Sequence, residues 1–251
     1  MRKVLIISYY WPPSGGSGVQ RWLNFSKYLT LLGFDITVLV PDNPNYPIVD
    51  NSLANSIHPS IKVIRSSIFE PNSLFNQIKK KNTDHIDNSG LLNRIILWIR
   101  ANLFFPDSRM FWIKSATRCA TNYINKNQID CVITTAPPFS THLIGLNVKR
   151  KTNVKWIADF RDPWSDFFPF KQFPMTNFMR NKHLVWEKKC LMNADSVITT
   201  SPSLTRSYKL INSSAYTVTN GYECLVDSVE SNKFVIMYTG VMKSVQNPSN
   251  L

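Results

Sequence analysis

The chain has 251 residues, of which 43% are hydrophobic and 12% aromatic, enough to build a real core, so a disordered chain is excluded as the default reading. Its formal net charge of +13 is either a solvated basic surface that keeps the protein soluble or a sign of anionic partners: a membrane surface, nucleotide phosphates or nucleic acid. The basic clusters (Lys79-Lys80-Lys81, Lys149-Arg150-Lys151, Lys188-Lys189) are short and separate, and no zinc-finger spacing, aromatic RNA-binding signature or basic tail accompanies them, which sets nucleic acid aside.

No apolar run approaches the roughly 20 residues needed to span a bilayer. The start, Met1-Arg2-Lys3 and a handful of apolar residues, lacks the h-region of a signal peptide. Cys119, Cys131, Cys190 and Cys224 stand apart, as do His58, His85, His142 and His183. Neither a metal site nor a disulfide framework is expected, and a reducing cytoplasm fits.

In chain order, Lys3–Tyr9 is a continuous apolar run, as in a strand covered on both faces of a parallel sheet. A loop follows that holds Gly15, Gly16 and Gly18, three of only 8 glycines. From Val19 the residues Trp22, Leu23, Phe25, Tyr28, Leu29 and Leu32 keep helical spacing, and Gly33 stops the helix. Phe34–Val40 is a second strand, ended by Pro41, and such a βαβ unit with a tight return is the signature of a Rossmann-like sheet. Residues 61–65 read as a third strand, and 79–90 as polar and mobile. In Leu91–Phe105 the residues Leu92, Ile95, Ile96, Trp98, Ile99, Leu103 and Phe104 alternate with Arg94 and Arg100; such a helix either lies in a membrane interface or packs on the sheet.

Beyond it the rhythm is regular: helix 108–126, strand 130–134, a Pro137-Pro138 turn, helix 139–151, strand 154–159, a Phe- and Pro-rich loop, helix 181–192, strand 196–199, a short helix from Pro202, and strand 216–219. The alternation predicts an α/β fold with a Rossmann-like, doubly wound, mostly parallel sheet over 1–220. Residues 221–251 read as a linker and, at Lys233–Thr239, the first strand of a second α/β domain otherwise missing from the chain.

A glycine loop between a first strand and a helix is where α/β folds hold phosphates on backbone amides, although it can also be a plain turn. A Walker A loop needs Lys-Ser/Thr after its last glycine, and here Gly18 is followed by Val19-Gln20. A dinucleotide fingerprint begun at Gly16 and Gly18 meets Arg21 where a small residue is needed, which disfavours a nucleotide-dependent oxidoreductase.

The surrounding segments, taken together, resemble the N-terminal half of the family 4 glycosyltransferases of the two-domain GT-B fold. They are YYWPPSGGSGVQRW (9–22), GFDITVLVP (33–41), FPDSRMFWI (105–113), TTAPPFSTHLIGL (134–146), WIADFRDPW (156–164), DSVITTSPSL (195–204), TNGYE (219–223) and FVIMYTGVM (234–242). The resemblance implies transfer of a sugar from a nucleotide-sugar donor to a hydroxyl acceptor with retention of configuration, without a bound metal or other cofactor. The acceptors implied are lipid-linked or polysaccharide chains of the cell surface. That sets the protein in the cytoplasm, with the basic surface and the Trp98 region offered to an anionic membrane face.

It implies too that Gly15, Gly16 and Gly18 contact the donor diphosphate. Arg21 either faces the same charge or is an ordinary core-edge arginine. In the run after the strand 154–159, Arg161 and Asp162 stand where relatives carry a catalytic His; Asp159 and Trp164 would orient sugar or acceptor. A structural ion pair closing that loop is the competing reading. His142 either faces the cleft or is structural. The family's donor residues, a basic pair and a Glu–seven residues–Glu element, belong to the second domain and are absent here, so this polypeptide alone is expected to have little or no activity. A non-catalytic binding or membrane-associated fragment is the alternative from another class.

Overall fold

A computed structural model of the chain describes residues 1–70, 91–166, 173–222 and 234–235. Two compact units emerge, Met1–Asn220 and Gly221–Leu251. Only 221–222 and 234–235 of the second are described, so the strand expected over 233–239 falls largely outside the described residues, as does the stretch 79–90.

The strands of the first unit are β1 (Lys3–Ile7), β2 (Asp35–Asp42), β3 (Lys62–Ser67), β4 (Cys131–Ala136), β5 (Lys155–Phe160), β6 (Ser196–Thr199) and β7 (Ala215–Thr217). The helices are α1 (Ser17–Leu31), α2 (Leu91–Leu103), α3 (Trp112–Asn127), α4 (Ser140–Thr152), α5 (Asn177–Asn193) and α6 (Pro202–Lys209). The sheet order is β3-β2-β1-β4-β5-β6-β7 and every pair is parallel. The winding reverses between β1 and β4, and this is the place where open α/β sheets leave a crevice at the carboxyl ends of their strands.

Both faces of the central strands are buried, which is why β1, β2 and β4 read as largely apolar runs. Successive side chains point to opposite faces. Val4 and Ile6 join Ile36, Val38 and Val40 under Val19, Trp22 and Leu23 of α1. Leu5, Ile7 and Leu39 join the other layer, where α3 contributes Trp112, Ala116 and Ala120 and α4 contributes Leu143, Ile144 and Leu146. α4 is buried along most of its length, lying on β4 and β5 beneath α3. Among the described residues no helix is long and apolar enough to cross a membrane.

Three local outcomes differ from the sequence reading. The helix expected from 108 begins at Trp112, because the Asp107 carboxylate accepts the amides of Arg109 and Ser140 and turns 107–111 into a loop. A short 3-10 helix, Asn51–Ser56, is capped by the Asp50 side chain. α5 starts four residues earlier than expected, where Thr176 Oγ1 accepts the amide of Met179.

Gly145 marks a close approach of α4 to the sheet. A Cβ there would sit 2.4 Å from the Trp156 indole nitrogen and 2.7 Å from Thr134 Cγ2. Gly145→Ala is therefore expected to cost about 1–3 kcal/mol of stability, read as a lower urea midpoint.

Candidate functional site

The crevice at the switch point has a floor made of charge. Asp159, near the end of β5, pairs in register with Thr135 of β4 and is fully buried. Its carboxylate accepts two hydrogen bonds from Arg21, Nε at 3.1 Å and Nη2 at 3.0 Å. It accepts two more, from Trp22 Nε1 at 2.5 Å and Thr135 Oγ1 at 2.9 Å. A buried carboxylate is tolerable only with such a full set of donors. Arg21 is held on its remaining sides by Asn220 Oδ1, at 3.0 Å from Nη1, and by the Phe25 ring, 4.6 Å below its guanidinium carbon.

Above this floor lies Arg161. Its Nη1 donates to the Gly18 carbonyl at 2.6 Å, its Nε to the Ala136 carbonyl at 3.2 Å, and its Nη2 to the Pro137 carbonyl. One guanidinium thus ties the first turn of α1 to the turn after β4, across the crevice. Burial pulls it below the ordinary arginine value, while Asp159 and Asp162 favour its charged form. Asp162, half-buried beside it, is raised by burial.

The three glycines of the first loop have three different reasons. A Cβ on Gly15 would meet Ile48 Cγ2 at 2.8 Å, and its amide donates to the Ile48 carbonyl at 2.9 Å. A Cβ on Gly18 would lie 3.0 Å from Arg161 Nη1. Gly16 has φ +90 and nothing within 4 Å of its missing Cβ. It is the residue before α1, whose N-terminus receives no side-chain cap, unlike those of α5 and α6. The positive end of α1 therefore lies close to Arg161, with open space where a Gly16 side chain would stand.

Next to this opening, a cleft of about 210 Å³ includes Tyr10, Asp107, Arg109, Pro137, Phe139 and His183 in its lining. Arg109 lies over the Tyr9 ring and 3.5 Å from Glu70, whose Oε1 accepts the Tyr9 hydroxyl at 2.6 Å. Burial raises both the Tyr10 phenol and the Asp107 carboxyl. The wall behind is rigid: Trp164 stacks on Phe139 with rings 4° apart, and its indole donates to His183 Nδ1 at 2.9 Å. Glu187 accepts the amides of Trp164 and Ser165 and the Tyr208 hydroxyl, pinning the loop after β5. Among the described residues no group of three His, Cys, Asp or Glu could hold a metal ion.

The structure brings Gly16, Gly18, Arg161 and Asp162 to one edge of the sheet. It places Arg21 and Asp159 beneath that edge, sealed from it by their mutual pairing, and gives the Gly15 amide to Ile48. Trp164 is interior, as is His142, whose Nδ1 shares a hydrogen bond of 2.8 Å with Thr134 Oγ1, which also accepts from Trp156 Nε1. Sequence reasoning did not assign Tyr10, Asp107 or Arg109 to a site, although FPDSRMFWI lay among the segments singled out; their shared signal is tertiary.

No family model matches the sequence, and no curated protein matches it. Solved structures do. UGT2 of Phytolacca americana, complexed with UDP-2fluoro-glucose and pterostilbene, is 13% identical with a TM-score of 0.50, over 87% of this chain and 54% of that one. Its apo form is 12% identical with a TM-score of 0.49, over 91% and 53%. MurG of Acinetobacter baumannii is 13% identical with a TM-score of 0.46, over 89% and 47%. UGT2 and this chain share an α/β, Rossmann-like fold. The chain spans about half the length of these structures.

Removing one partner of the buried pair leaves the other charge uncompensated, so Asp159→Ala is expected to cost about 3–5 kcal/mol in urea unfolding, most of it recovered by adding Arg21→Met. Burial, with Arg161 near, holds His142 down at about 3; burial, with Lys182 beside it, holds His183 at about 4. Both are ordinarily at 6.5, so the unfolded chain binds more protons between these values. Their contribution to stability is complete above pH 6.5 and is lost as pH falls toward 4. The urea midpoint should decline over that window, and less steeply in His183→Gln.

Proposed function

We propose that Met1–Asn220 is the acceptor-side lobe of an enzyme that transfers a sugar from a nucleotide-sugar to a hydroxyl acceptor. The observation that carries this reading is the uncapped start of α1 at the switch point, opened by Gly16 at φ +90, with the Arg161 guanidinium held across it. As the bond between sugar and diphosphate breaks, negative charge builds on the departing nucleoside diphosphate. Amides at a helix end and a fixed guanidinium stabilise that charge without reorganising. The fold supports the reading, since a structure sharing it holds UDP-2fluoro-glucose.

In this scheme Arg161 and Asp162 contact the transferred group, Arg161 by charge and Asp162 by accepting from sugar hydroxyls. Asp159, Arg21 and Trp164 serve by holding them in place. Retention of configuration and independence from a metal follow the family 4 resemblance. The acceptor enters the neighbouring cleft, whose aromatic wall and Arg109 suit a ring system bearing an anionic group. We assign it to lipid-linked or polysaccharide intermediates of the cell surface, modified on the cytoplasmic side. Nucleoside contacts and the remaining donor-sugar contacts belong to an opposing lobe, because transition-state binding in such a cleft needs both walls; Met1–Asn220 alone is expected to turn nothing over.

The test is calorimetric titration of UDP-, GDP- and dTDP-sugars into the intact protein, wild type and Gly16→Val. A side chain at φ +90 disturbs the start of α1, so affinity for the preferred donor should fall at least about tenfold with the global fold retained by circular dichroism. Equal affinity in the two proteins refutes the assignment.

A further inference from the structure

The turn between α2 and α3 carries polar residues that the transferase scheme uses only through Arg109. Asp107, Ser108 and Arg109 line the cleft, joined by Arg100 from α2 and by Tyr10 from the loop after β1. The acid among them is engaged: Asp107 Oδ1 accepts the Arg109 amide at 2.9 Å and Oδ2 the Ser140 amide at 2.9 Å. Glu70, beside Arg109, is engaged too, accepting the Tyr9 hydroxyl at 2.6 Å and the Asn45 amide at 2.6 Å. The cations keep donors in hand. Arg109 bonds the Ser108 hydroxyl through Nη1, but its buried Nε has no hydrogen-bond partner among the described residues, with Glu70 Oε1 standing 3.5 Å away. Arg100 is exposed at the rim. What the cleft offers a ligand is therefore guanidinium N–H, which suits a carboxylate or a phosphate.

Size narrows the ligand. A cavity of about 150 Å³ takes a benzene ring, so the cleft, at about 210 Å³, matches one pyranose ring with its substituents. Phe104, Phe139 and Phe173 in its lining supply aromatic surface for the C–H face of such a ring. Tyr10 marks the end nearest the glycine loop. Its Cδ2 lies 3.8 Å from where a Gly18 Cβ would stand, a point that Arg161 Nη1 approaches to 3.0 Å. The Tyr10 ring is braced edge-on by Tyr9, with centroids 4.9 Å apart, and its hydroxyl has no hydrogen-bond partner among the described residues. Burial raises the phenol, which stays protonated and able to donate.

We propose that the cleft is a subsite for one acidic sugar residue, a pyranose bearing a carboxylate or a phosphate. Arg109 and Arg100 hold the oxyanion, and the Tyr10 phenol bonds a ring hydroxyl at the end next to Gly18 and Arg161. A neutral sugar would answer the Arg109 N–H only with weaker, uncharged acceptors, and a second ring would have to lie outside the cleft. That the hydroxyl at Tyr10 is the one glycosylated rests on the transferase reading; the binding of an acidic ring does not.

Ligand-observed NMR titration of the intact protein with methyl β-glucuronide, glucose 6-phosphate and methyl β-glucoside tests it. At least one of the two acidic ligands should bind about tenfold or more tighter than the glucoside, the better of them telling carboxylate from phosphate. Arg109→Lys, which keeps the charge and loses the fork, should weaken that ligand by about fivefold or more. Tyr10→Phe should weaken it by about threefold or more with the urea midpoint unchanged, because the hydroxyl it removes has no described partner. Absence of binding by all three ligands, equal affinity for the glucoside, or affinity indifferent to either variant overturns the proposal. Gly16→Val, which attacks the transferase reading, should bind the acidic ligand like wild type, so each reading can fail without the other.

Discussion

The carboxylate of Asp159 is the point on which this architecture turns. It draws donors from α1, through Arg21 and Trp22, and from β4, through Thr135, while sitting at the end of β5. Those elements meet where the sheet reverses its winding, so satisfying one buried charge fixes where the first helix begins relative to the strands flanking the crevice. A buried ion pair is weak evidence of net stability, because apolar residues of the same volume can do as well. Its contribution is to register: four donors in fixed directions admit one placement of α1.

That placement gives the glycine loop its form. A side chain on Gly18 would crowd Arg161, and one on Gly15 the segment around Ile48. Only Gly16 is a glycine for reasons of backbone angle with free space around it. A cluster that looks uniform in sequence is thus three separate constraints, two of packing and one of backbone angle. Arg161 links them, since its three main-chain bonds hold both lips of the crevice at a set separation.

The order of strands and helices was legible from apolar runs and helical spacing, because both faces of a parallel sheet are covered and the pattern is strong. Boundaries failed where side chains overrode it: Asp107 unwinds the expected start of α3, and Thr176 extends α5. The site was legible in part. Residues on the strand ends and in the loops could be found from where α/β sheets bind ligands. Which of them face outward could not, because Arg21 and Asp159 are 138 positions apart and their pairing appears in no local spacing. The cleft was less legible still, as Tyr10, Asp107, Arg109 and His183 come from separate segments with no common period.

By itself, then, the sequence determined the layers, the parallel sheet and the chemical types available at its carboxyl edge, since periodicity and turn chemistry act over a few residues. Tertiary structure alone decided which charges are neutralised in the interior, which glycine of the loop takes a positive φ, and that most described side chains of α2 stay exposed. Those outcomes depend on burial and on partners distant in the chain, and a carboxylate has no way to record in its own neighbourhood who will donate to it.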